Sequence, residues 1–267
     1  MKQASKNMAF VFLLWLALLF PALSFGQYFT IDTIKGISPY AYHSEYIFPH
    51  IKCKANAAAA ERINRELRQD ILQIDSGKEY KSIFENVWGS EENPMPMESE
   101  ISFEVINNDS RFFCFTISAQ GCGAYCEDWT RYYAWDSRSG KAIELHELFS
   151  GAGIQRFSDS LRIIRNHRIK EAIANLKKSW KKDLIANPDN AEGLKMAMDV
   201  FFDCLDTSRT PTVGYGYTLD HEQLTVYVEA CLPHMIRAYD EVDYTFSFDL
   251  KEWNIYLSDY AKSLLKP

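Results

Sequence analysis

The stretch from Glu98 to Phe149 places the tightest constraint on how this chain can fold. Ile101, Phe103 and Val105 recur at every second residue between Glu100 and Ile106, the period of a strand with one buried face. The cluster Asn107-Asn108-Asp109-Ser110 follows, and its side chains can bond the local backbone in a turn. A second strand-like run, Phe112 to Ser118, then returns, so the two read as a β-hairpin. A loop bracketed by Cys122 and Cys126 comes next. It leads into an aromatic run ending at Trp135, an Asp136-Ser-Arg-Ser-Gly140 turn and Ile143-Glu144-Leu145. The fold class this implies is α+β: an antiparallel meander with helices packed against it.

Elements on either side fit that reading. Gln27 to Tyr46 is aromatic and irregular, and Ile47 to Lys54 reads as a strand. Asn56 to Leu72 reads as a helix with Asn56 as N-cap, a stripe of Ile63, Leu67, Ile71 and Ile74, and Gly77 as terminator. Ser82 to Met97, broken by Pro94 and Pro96, reads as a loop. From Phe157 onward, Leu161, Ile164, Ile169, Ile173, Leu176, Trp180 and Leu184 suit one long helix over Ser158 to Asn187, or two with a break near Asn166. Its charged side carries Lys170, Lys177, Lys178, Lys181 and Lys182, the pattern of a solvated face. Pro188 stops it, and a shorter helix covers Ala191 to Leu205. Tyr217 to Leu219 and Gln223 to Cys231 form a second hairpin around Asp220-His221-Glu222. Val242 to Phe248 is a last strand. Asp249 caps a closing helix through Leu250, Trp253, Leu257, Tyr260 and Leu264.

The N-terminus sets an expected compartment. Lys2 and Lys6 precede an apolar run of 13 residues from Met8 to Phe20, and Ser24 and Gly26 precede Gln27. That is the form of a secretory signal peptide over 1–26. The run is shorter than the roughly 20 residues that cross a bilayer; an uncleaved anchor is the alternative. Residues 27–267 would then be a secreted or periplasmic single domain with no membrane span, its halves being about 27–97 and 98–267. Loss of Lys2 and Lys6 takes the formal net charge from −7 to −9. An acidic chain without a basic block argues against nucleic acid as a partner. The oligomeric state is not legible.

The six cysteines, Cys53, Cys114, Cys122, Cys126, Cys204 and Cys231, point to disulfides in an exported chain. Six allow 15 pairings. Cys122 and Cys126 are close enough in sequence to pair, which leaves Cys204 with Cys231 and Cys53 with Cys114 by elimination. A metal site on Cys122-x3-Cys126 would need a second close pair of Cys or His ligands, which the sequence lacks. No metal or other cofactor is expected.

The order and spacing of several segments resemble a known family. They are Tyr46-Ile-Phe-Pro49 followed by Arg62-Ile-Asn64, then Ile101-Ser-Phe-Glu-Val, Tyr132-Tyr133, Ser139-Gly-Lys141, Glu147-Leu-Phe149, Leu224-Thr-Val-Tyr, Pro233-His234 and the closing Phe246 to Leu257. Together they are similar to the extracytoplasmic domain shared by the lysozyme-sensing anti-sigma factor RsiV and PdaC-type peptidoglycan deacetylases. The resemblance covers most of residues 27–267. It implies an exported binding or sensor module at the cell envelope, with a wall hydrolase such as lysozyme, or peptidoglycan glycan, as ligand. The chain departs from those proteins in having neither an anti-sigma segment nor a deacetylase domain.

No G-x-S-x-G, H-E-x-x-H or phosphate-binding glycine loop occurs, so the expected role is non-catalytic. Alternatives are a wall hydrolase whose carboxylates are not located, or a structural envelope subunit. Glu127-Asp128, His146-Glu147 and His221-Glu222 are sequence neighbours without the spacing of a working acid–base pair. The aromatic cluster carries the binding expectation: Tyr125, Trp129, Tyr132 and Tyr133, with His234 facing a cleft. Trp and Tyr offer large contact area at low entropic cost. The competing reading is that alternate members of Arg131 to Trp135 face the core.

Overall fold

A computed structural model of the protein describes residues 27–40, 45–75, 77–92, 98–122, 126–205 and 216–266. The chain enters on β1 (Thr30–Ile37), antiparallel to β2 (Glu45–Lys52) in unbroken register from Thr30↔Lys52 to Ile37↔Glu45. The expectation of an irregular segment there is corrected. β1 lies at the sheet edge with no fully buried side chain, so it has no apolar alternation to betray it. Next come β3 (Glu98–Asn108), β4 (Phe112–Cys122), β5 (Cys126–Asp136) and the short β6 (Lys141–Ala142), in sheet order β1-β2-β3-β4-β5-β6. All neighbours are antiparallel except β2 and β3, whose parallel pairing is confined to Tyr46↔Ile101.

Between β2 and β3 lies helix α1 (Ala57–Leu72), where the Asn56 side chain accepts from the Ala59 N–H as the cap predicts. Ile63, Leu67 and Ile71 are buried on the sheet. The helix ends not at Gly77 but at Gln73, which takes a left-handed conformation, φ 52°. Asn64 is buried in the same face. It accepts the Ile51 N–H and donates to the Ile51 carbonyl, both at 2.8 Å. The β2–β3 pairing does not reach Ile51, so the amide stands in for a missing strand. Pro49 sits two residues earlier on that same side, where its lack of an N–H loses no ladder bond.

β4 divides the molecule, because its side chains alternate between two cores. Phe113, Phe115 and Ile117 face α1, joined by Tyr133 and Trp135 of β5. Phe112 and Cys114, with Ala134, face the other way. There they meet a second sheet rather than only helices: β7 (Gly216–Leu219), β8 (Gln223–Tyr227) and β9 (Thr245–Asp249), antiparallel in that order. The α+β class stands, with the expected strands divided between two sheets.

A single helix, α2 (Gly151–Ala186), follows β6, with no break near Asn166. Ser150 caps it, accepting from the Gly153 N–H at 3.1 Å. Its first half buries Phe157 and Leu161 against the second sheet. Its second half buries Ile169, Ile173 and Leu176 against α3 (Pro188–Cys204) and a 3-10 turn at His234–Tyr239. Ile164 and Leu184, expected inward, are exposed. Pro188 does not merely stop α2; it starts α3 in its first turn, with Asn187 capping. A proline is tolerated there because that N–H has no helical partner to lose. The closing helix is two short ones, α4 (Leu250–Trp253) and α5 (Asp259–Leu265), the second capped by Ser258. Between them Leu257 bridges to Phe149.

The Asp136–Gly140 turn carries a first expected result. Gly140 has φ +63°, and a Cβ there would lie 2.6 Å from the Ala59 carbonyl oxygen. Gly140→Ala should therefore cost about 2 kcal/mol through left-handed strain and the overlap together. An unchanged urea midpoint would show that the turn can back away from α1.

Candidate functional site

The β4–β5 hairpin positions the residues singled out from sequence, and its strict alternation separates them. On the α1 face, the Trp129 indole N–H donates to Glu98 Oε2 at 2.7 Å. The Arg131 guanidinium lies 5.3 Å from the Trp129 ring centre and pairs with Asp70 of α1. Tyr133 is buried, stacked between Phe115 and Trp135, with its hydroxyl donating to Asp70. It is therefore a core residue, closed to a ligand. Tyr125 and residues 1–26 lie outside the described residues.

Tyr132 points to the opposite face. Its ring stacks on Tyr227 of the second sheet, centroids 4.1 Å apart and planes 16° apart. Gly216 is required beneath it, since a Cβ there would overlap the ring. Beyond the reach of the second sheet this face of β3–β5 opens into a groove of about 460 Å³. Ser102, Ser118, Gln120, Asp128 and Thr130 line it with Tyr132, and Trp129 also borders it. The floor is pre-ordered: Ser118 and Thr130 hydroxyls lie 2.9 Å apart, and Gln120 Nε2 donates to Asp128 Oδ1 at 3.1 Å. A register shift between Ser99 and Ser102 marks the groove's β3 wall. Within it Glu100, φ 52°, is aimed into the groove. Such bulges re-aim a side chain locally.

Burial dominates the electrostatics. It pushes the Glu98 carboxyl above the usual range, opposed by the Trp129 donor and Arg131. It likewise raises the Tyr132 hydroxyl, with Tyr227 adding to the effect. Tyr132 thus stays neutral, a donor and acceptor at physiological pH.

His234 does not join the groove aromatics. It sits in the 3-10 turn with Nδ1 3.9 Å from Glu127 Oε1, and Arg237 of the same turn pairs with that carboxylate. Glu127 thereby fastens the hairpin to the α2–α3 unit. The cysteines at this end are oxidised. Cys204 and Cys231 are bonded, with Cα atoms 6.1 Å apart. Cys126 is disulfide-bonded and its strand partner is Cys122. Cys53 and Cys114 are free thiols, so of the two pairs expected by elimination Cys204–Cys231 stands and Cys53–Cys114 is corrected. They belong to cores on opposite sides of the first sheet. Cys114 accepts the Leu219 N–H, and burial pushes its thiol up to about 12, which makes it a packing residue without thiolate chemistry.

Sequence reasoning missed Ser102, Ser118, Gln120 and Thr130. Their signal was present as polar residues at alternate positions, but the same pattern describes any solvated strand face. Among the described residues, no group of three or more His, Cys, Asp or Glu could hold a metal ion, and no helix is long and apolar enough to cross a membrane.

Among solved structures, the chain is similar to a DUF3298 family protein from Pseudomonas aeruginosa PAO1, with a TM-score of 0.46 and 13% identity, over 87% of this chain and 95% of that one. No protein-family model and no curated protein matches it.

Proposed function

We propose that the protein is an exported, non-catalytic binding module of the RsiV-like and PdaC-like class, and that its groove takes cell-wall glycan. The groove itself carries the reading. A half-buried tyrosine ring stands beside hydroxyls, an amide and two carboxylates on a rigid sheet face. Sugar rings present apolar faces to such an aromatic and hydroxyls to such polar groups, and a few fixed polar groups suffice to orient a ligand. The signal-like sequence of 1–26 and the disulfides are consistent with export.

Co-sedimentation with insoluble peptidoglycan tests the reading. The protein should pellet with bare wall, and Tyr132→Ala should weaken binding about tenfold, on the order of 1.4 kcal/mol. Because Tyr132 also packs on Tyr227, the exposed Asp128→Ala serves as the second variant and should weaken binding without lowering stability. Wild-type protein that stays in the supernatant would remove the glycan reading. Solubilisation of wall fragments by the protein alone would instead make it a hydrolase.

A second reading follows from Glu100 and Asp128 in the groove of a net acidic chain: the ligand is a basic wall hydrolase of the lysozyme kind. Pelleting only when lysozyme is present, and weakening as salt rises, would favour it.

A further inference from the structure

A second cavity lies elsewhere, about 810 Å³ between the hairpin turns of the two sheets and the C-terminal helices. Its floor is leucine: Leu250, Leu257 and Leu265. Its rim is cationic, with Arg111 from the β3–β4 turn and Lys251, Lys262 and Lys266 at the closing helices, against Glu222 as the one carboxylate among its described lining residues. This is a local reversal in a chain whose 36 acidic residues outnumber its 29 basic ones.

The cations are not consumed by internal pairs. Lys251 is 3.3 Å from Glu222, but both side chains are 76% exposed, a loose surface pair. Arg111 Nη2 is 3.9 Å from Asp109 Oδ2, the outer limit of an ion pair. That same carboxylate oxygen lies 2.7 Å from His221 Nε2, so His221 is its nearer partner. Lys262 and Lys266 form no ion pair among the described residues.

An apolar floor under a cationic rim calls for an apolar body with an anionic head. A purely apolar ligand would leave the cations unanswered, and a small inorganic anion would leave the leucine floor wet. The volume is within the range of pockets that enclose whole small ligands. We infer that this cavity binds a single-chain lipid anion, its acyl chain on the leucines and its carboxylate or phosphate head among Arg111, Lys251, Lys262 and Lys266. This site is separate from the groove and stands or falls independently of the glycan reading.

Titration calorimetry of the purified protein with hexadecanoate and with lysophosphatidylglycerol tests it, with hexadecanol as the uncharged control. At least one anion should bind, and hexadecanol should bind at least tenfold more weakly. Binding of hexadecanoate alone assigns a carboxylate head, binding of the lysophospholipid alone a phosphate head, and both a shared site for either. The double variant Lys262→Glu/Lys266→Glu should lose at least tenfold in affinity with an unchanged thermal midpoint. Leu265→Asp, on the partly buried edge of the floor, should weaken binding of the same anion. Absence of binding by both anions, equal binding of hexadecanol, or full affinity in the charge-reversed variant would each overturn the inference.

Discussion

Trp135→Ala should destabilise the protein by about 3–5 kcal/mol, the cost of deleting a large aromatic side chain from a closed core. Trp135 is fully buried, with ring centres of Phe113, Phe115 and Tyr133 at 5.9, 5.2 and 5.2 Å. Its neighbours come from β4 and β5, strands fixed by their own ladders, so the void has little means of collapse. Against a typical total of about 5–15 kcal/mol, the loss should be visible as a large drop in urea midpoint at constant slope. A drop under about 1 kcal/mol would mean that the aromatic stack is not the keystone of the α1-side core.

Trp135→Phe separates packing from hydrogen bonding. The indole N–H donates to Glu66 Oε2 at 3.0 Å. Burial raises the Glu66 carboxyl, and this donor opposes the rise, while Asp70 and Glu144 reinforce it. A carboxyl raised on folding gives stability that is present at low pH and lost as pH rises through its folded value. Removing the donor raises it further. The deficit of Trp135→Phe should therefore widen as pH climbs through the Glu66 titration.

Asn64→Ala comes next, at about 2–4 kcal/mol. The substitution strips partners from both the N–H and the carbonyl of buried Ile51, and each orphaned buried group costs about 1–3 kcal/mol. Asn64→Asp should fare no better, since a carboxylate supplies no donor for the carbonyl. Arg65→Ala, one residue along on the exposed face, should stay within about 0.5 kcal/mol. Hydrogen exchange at the Ile51 amide reports the mechanism directly. Retained protection there in Asn64→Ala would show that water or another group takes over.

Asn64 also illustrates how reading and structure differ. Its place on the buried stripe of α1 follows from position, one residue after Ile63. Its partner does not, because nothing local says that β3 leaves β2 unpaired beyond Tyr46. The same holds for the groove. The period-2 runs of β3, β4 and β5 were legible, so the two faces were too. Tyr133, an expected ligand residue, is buried by the same alternation that buries Trp135. Which part of the other face stays open depends on where the second sheet ends.

Local chemistry accounts for the elements that were read correctly. Asn56 as a cap, Asp220-His221-Glu222 as a hairpin turn and the apolar stripe of α1 each depend on residues within a few positions of one another. The helix α2 begins at Gly151, seven residues before the expected Ser158. Gly153 is needed there because a Cβ would overlap the Tyr256 carbonyl, a neighbour about a hundred positions away.

Sequence by itself determined the α+β class, the two hairpins and the capped helix. Those features rest on periods of 2 and 3.6 and on short spacings, which a chain carries in its local order. Tertiary structure alone decided that the strands form two sheets, that Cys53 and Cys114 remain apart, and that Tyr132 looks into a groove bordered by Trp129 while Tyr133 turns to α1. It alone gathered Arg111, Lys251, Lys262 and Lys266 around a leucine floor. Those outcomes depend on which surfaces exclude water from one another, a property of segments far apart in sequence and adjacent only once folded.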